Sequence, residues 1–105
     1  MALPHDEPEM MAIHVRMSGK VQRVGFRQWI VDEATKRGLR GWVRNRSDNM
    51  VEAVISGEMN TVRAMVKTCY QGPPKAEVRQ VVQFPGEFRP TDDDFGSEFK
   101  IIESI

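Results

Sequence analysis

The chain has 105 residues, which suits one compact domain built around a single core. Lys plus Arg and Asp plus Glu number 15 each, so the formal net charge is zero, and a partner held by bulk positive charge, such as duplex nucleic acid, is disfavoured. The lone Cys69 excludes a disulfide or a cysteine-based zinc site within one chain, and no apolar run approaches the ~20 residues of a membrane span.

The first residues are acidic and carry prolines, without the basic and apolar regions of a signal peptide. Residues 1–9 therefore read as a flexible tail, residues 10–105 as the domain, and the setting as cytoplasmic. Ile13, Val15 and Met17 alternate with His14, Arg16 and Ser18, which predicts a half-buried strand. A glycine-containing loop follows. Then Phe26, Trp29, Ile30 and Ala34 fall at helical spacing, and Gly38 is a suitable stop.

A second strand is expected over residues 39–46 and a third over 50–56, with Val51, Ala53 and Ile55 on one face. Ser47, Asp48 and Asn49 lie between them and predict a tight two-residue hairpin turn, because Asp and Asn tolerate left-handed backbone. Gly57 is expected to end the third strand. Met59, Val62, Met65, Val66 and Cys69 mark a second amphipathic helix, stopped by Gly72, Pro73 and Pro74. Val78, Val82 and Phe84 suggest a fourth strand over 76–84, and Phe99 and Ile101 a short last one. The stretch between, 85–96, reads as a loop. Strand, helix, strand, strand, helix, strand is the split arrangement of the α+β, ferredoxin-like βαββαβ fold. It implies an antiparallel sheet of order 4-1-3-2, with two helices on one face and the short fifth strand added.

The segment G-K-V-Q-R-V-G-F-R, residues 19–27, leaves the first strand and enters the first helix. Free N–H groups at a helix entrance, the positive end of the helix dipole and an arginine fork form a recipe for holding phosphate. The candidate loop comprises Gln22, Arg23, Val24, Gly25, Phe26 and Arg27.

This segment resembles the G-x-V-Q-G-V-x-F-R motif of the acylphosphatases. Gly41-Trp42-Val43-Arg44-Asn45, followed by Asp48, Val51 and Glu52, is similar to a second motif of that family, and Gly72-Pro73-Pro74 with Ala76 and Val78 to a third. Phe99 and Ile101 fit as well. The resemblance implies hydrolysis of the carboxyl–phosphate bond of a small acyl phosphate, with no metal and no organic cofactor. It implies that Arg27 and the loop bind the phosphoryl group, that Asn45 positions the attacking water, and that inorganic phosphate is product and weak inhibitor. A monomer with no nucleic-acid or membrane partner is expected. The chain departs from the family at Arg23 and Asn49, where glycine is common; a positive φ at Arg23 would be strained.

A phosphate-binding module without turnover is the competing reading, with Arg23 its one motive. RNA binding needs aromatic rings on the open sheet face, whereas the first and third strands offer His14, Arg16, Ser18 and Glu52. His5 and His14 do not have the spacing of a metal pair. Asp92, Asp93 and Asp94 lack the later glutamate of a calcium loop. Cys69, Trp29 and Met65 read as core. Arg40, Arg44 and Arg46 read as a solvated basic face, or as an attractor of anionic substrate.

Overall fold

A computed structural model describes residues 9–90 and 96–105. The acidic triplet Asp92, Asp93 and Asp94, and residues 1–8 of the expected tail with His5, lie outside the described residues. The elements run β1 (Met10–Lys20), α1 (Phe26–Lys36), β2 (Arg40–Asn45), β3 (Val51–Glu58), α2 (Met59–Cys69), β4 (Glu77–Phe84) and β5 (Phe99–Ile101). They form a five-stranded sheet of order β4-β1-β3-β2-β5.

The first four strands pair antiparallel in the expected order. The fifth corrects the expectation of a wholly antiparallel sheet, because β5 pairs parallel to β2. The reason is topological. Phe84, the last residue of β4, pairs with His14 near the start of β1, and β2 runs in the direction of β1. A segment that crosses the sheet at that end must enter beside β2 running the same way.

One core lies between the sheet and the helices. Ile13, Val15 and Met17 of β1 and Val51, Ala53 and Ile55 of β3 face Phe26, Ile30 and Ala34 of α1 and Val62, Met65 and Cys69 of α2. Period two on the strands meets period 3.6 on the helices, so each element buries one face. Cys69 sits in this core, and burial pushes its thiol up to about 12, which leaves it unreactive.

Two local expectations are corrected. Gly57 does not end the third strand: it pairs with Met11, and α2 starts directly after Glu58. A Cβ on Gly57 would lie 2.5 Å from Leu39 Cδ2, so this glycine makes room for packing. Glu58 then caps α2 by accepting from the Thr61 N–H at 2.9 Å. The β2–β3 loop is a three-residue loop, not a two-residue turn. Arg46 N–H donates to Met50 O at 2.9 Å, Asn49 N–H to Arg46 O at 3.2 Å, and within the loop only Asn49 is left-handed, at φ 69°.

Candidate active site

The site begins where β1 breaks register at Ser18 and Gly19. A Cβ on Gly19 would lie 2.3 Å from the Glu77 carbonyl oxygen, so this first motif glycine lets β1 and β4 approach. Its role is in the sheet. Gly25 differs: its backbone is left-handed at φ 77°, it precedes α1 directly, and open space surrounds its would-be Cβ. Arg23 is also left-handed, at φ 63°. For a residue with a Cβ this conformation costs roughly 1–2 kcal/mol.

These turns leave the loop with unmatched donors. The first helical bond runs from Trp29 N–H to Gly25 O at 3.0 Å. Among the described residues, the backbone N–H groups of residues 23–28 meet no backbone carbonyl. No side chain caps the helix, and its first turn carries no acid. Alternating handedness with free N–H groups at a helix start makes an anion-binding concavity.

Asn45 is the last residue of β2, beside this loop. Its carbonyl accepts from Ile105 N–H at 3.1 Å, while its side-chain amide makes no hydrogen bond among the described residues. Gln22 ties loop to hairpin: its Nε2 donates to Arg46 O and to Met50 O, each at 2.8 Å. Arg23, Gly25, Phe26, Arg27, Gln28 and Asn45, with Val21 and Ile101, line one cavity of about 260 Å³. The structure thus brings together five of the seven expected site residues. Gln22 points its amide at the hairpin, and Val24 packs against the core.

Val21 and Ile101 were not among the expected site residues. They add an apolar wall, and Ile101 is one of the exposed large hydrophobic residues. Its register with Val43 of β2 depends on where β5 docks, which periodicity does not reveal.

The basic face on the hairpin is only partly exposed and is engaged by acceptors, and it does not face the cavity. Glu52 is buried on the outer side of the sheet and accepts from Arg44 Nε at 2.7 Å, Arg16 Nε at 3.1 Å, Arg46 Nη1 at 3.3 Å and His14 Nε2 at 2.7 Å. Burial alone would raise this carboxyl, but hydrogen bonds from Arg44, His14 and Arg16 outweigh it and hold it at about 2. Arg46 also pairs with Asp48 at 3.0 Å. Arg40 donates to the carbonyls of Pro90 and Gly96. His14 meets Glu87 through Nδ1. Around it lie the rings of Phe84 on the neighbouring β4 and of Trp42 on β2, with Phe88 edge-on to both His14 and Trp42. Phe88 packs over these rings, so they do not form an open stacking platform.

A family model described as acylphosphatase matches residues 13–101. The chain belongs to the acylphosphatase family. The acylphosphatase of Azorhizobium caulinodans is 45% identical over 93 residues, covering 89% of this chain and 96% of that one. The solved acylphosphatase from Coxiella burnetii superposes with a TM-score of 0.79 at 34% identity, covering 89% of this chain and 93% of the other. That from Bacillus subtilis gives a TM-score of 0.79 at 30% identity, with 90% and 99% covered. The acylphosphatase match spans both the loop before α1 and the Asn45 hairpin.

Proposed function

We propose that the cavity between the loop and Asn45 is the catalytic centre, with Arg27 and the loop N–H groups holding the phosphoryl group and Asn45 holding the water. Family membership makes the chain an acylphosphatase, a hydrolase of the carboxyl–phosphate bond of small acyl phosphates. The observation that carries the site assignment is the shared cavity: unmatched N–H donors, Arg27 and the free amide of Asn45 line one small space.

The chemistry asks little of acid–base groups. The leaving group is a carboxylate, already weakly basic. The site has to bind a dianion, hold water in line and stabilise charge on the phosphoryl oxygens. Backbone N–H groups and the Arg27 fork supply the first and third. The side-chain carbonyl of Asn45 accepts a hydrogen bond from the water and aims the water's lone pair at phosphorus. As the P–O(water) bond forms, the P–O(acyl) bond breaks and its electrons leave on the carboxylate. A phosphoryl oxygen takes the water proton.

The products are a carboxylate and inorganic phosphate, and phosphate competes weakly for the same cradle. The enzyme works as a cytoplasmic monomer, without nucleic acid or membrane. In support, formal charge is balanced, and no described helix is long and apolar enough to cross a membrane.

The deciding assay is phosphate release from acetyl phosphate, with a chelator present. Arg27→Ala is expected to lower kcat/KM by about 10³-fold, since it removes a charge-assisted fork from the transition state. Full activity in Arg27→Ala would refute its assigned role.

A further inference from the structure

We propose that Arg23 recognises a second negative charge, and that the site therefore favours acyl phosphates whose acyl part carries its own anionic group. The inference rests on the hydrolytic reading above and names its substrate class. Four observations support it.

Arg23 holds a left-handed backbone at φ 63°, a conformation glycine adopts without strain. Residues held in strained backbone cluster at active sites and ligand clamps. The side chain is exposed and lines the same cavity as Arg27 and Asn45. Among the described residues it makes no ion pair and no hydrogen bond. Lastly, the cavity wall holds two cations, Arg23 and Arg27, and no carboxylate.

The nearby arginines behave otherwise. Arg44 and Arg46 are engaged by Glu52 and Asp48 and leave the cavity alone. A phosphoryl group bound by Arg27 and several N–H donors is already compensated. The Arg23 guanidinium then remains as an uncompensated fork at the rim, suited to a carboxylate or phosphate on the acyl group. Its reach is longer than that of the backbone cradle, as a group beyond the scissile bond requires.

The test compares benzoyl phosphate with 3- and 4-carboxybenzoyl phosphate, and with 4-phosphonobenzoyl phosphate. The quantity read is the ratio of kcat/KM, charged over uncharged. One charge-assisted contact is worth about tenfold in that ratio. Arg23→Gln keeps a Cβ in the strained position and removes the charge, so the ratio is expected to fall about tenfold for at least one charged substrate. Arg23→Gly should fall equally. Arg23→Lys keeps the charge but not the fork, so its ratio should fall less than in Arg23→Gln. Which charged substrate responds tells carboxylate from phosphate recognition. Ratios unchanged in both Arg23→Gln and Arg23→Gly overturn the proposal while leaving the hydrolase intact. No turnover of benzoyl phosphate by the unsubstituted chain would remove both readings.

Discussion

The side-chain amide of Gln22 lies 2.8 Å from the carbonyl oxygen of Arg46, one residue beyond Asn45. The same nitrogen reaches Met50 O at 2.8 Å, so one side chain of the loop before α1 bridges both carbonyls at the mouth of the β2–β3 hairpin. Loop and hairpin come from distant parts of the chain, and each carries one half of the proposed machinery. Gln22 fixes the distance between them. In the proposed mechanism it is a positioning residue, acting through Asn45.

Gln22→Glu replaces a donor with a carboxylate aimed at two carbonyls. At neutral pH kcat is expected to fall about 10–100-fold, with a smaller change in KM, because a misplaced water costs rate more than binding. As pH falls, the carboxyl gains a proton and can donate once more, so part of the rate should return. A merely structural residue would not give that acid-side recovery. Steady-state rates between pH 4.5 and 8 decide it, and a wild-type kcat in Gln22→Glu at pH 7 would sink the idea.

Asn45→Ala is expected to lower kcat about 10²–10³-fold with KM within a few-fold, since the amide is proposed to act on water rather than on phosphate. Hydrolysis in labelled water should place the heavy oxygen in phosphate. Label in the carboxylate would mean attack at carbon and would discard the water role given to Asn45. No side chain of mid-range pKa enters the mechanism, so the rate should be nearly flat from moderately acidic to neutral pH. A steep bell with an inflection near the free histidine value would point to a group left out.

The strand-to-helix loop was legible because its parts are local: N–H groups at a helix start, glycines and an arginine lie within one short segment. The Gln22 bridge was not, because its acceptors are backbone carbonyls more than 20 residues away, with no side-chain signature. Glu52 misled the reading for a related reason. Alternation assigned it to the outer face, which usually means solvent. Three arginines, His14 and the covering Phe88 make that position a buried ionic site instead. The core was readable at Val15, Ile55 or Val62 because two periods sufficed. The parallel docking of β5 depends on where β4 leaves the sheet, a global property.

Glu52 makes a prediction about acid stability. Its folded pKa is depressed, from 4.5 to about 2. A depressed carboxyl contributes stability that is present above the unfolded pKa and is lost as pH falls through the folded one. The shift caps the effect at about 3 kcal/mol, and solvent around the partly exposed arginines reduces it to about 1–2 kcal/mol. Urea denaturation should therefore show the unfolding free energy declining between pH 4.5 and 2, beyond what other carboxylates cause. Glu52→Gln should be less stable at pH 7 and should show a shallower decline. An identical slope in that variant would remove Glu52 from the account.

The two motif glycines should separate fold from site. Gly19→Ala puts a methyl within 2.3 Å of the Glu77 carbonyl oxygen and 2.7 Å of the Arg79 nitrogen, both backbone atoms held in the sheet. Neither strand can yield without loss of ladder bonds, so destabilisation of about 2–4 kcal/mol is expected. Gly25→Ala meets no atom, but must hold φ 77° with a Cβ, at roughly 1–2 kcal/mol. That methyl would also enter the space where the phosphoryl group is proposed to sit. Gly25→Ala should therefore lose affinity for inorganic phosphate by about tenfold or more, measured by calorimetry on the folded variant. Gly19→Ala, in the fraction that folds, should bind phosphate nearly as the unsubstituted chain does. If Gly25→Ala bound phosphate normally, the cradle would not be where α1 begins.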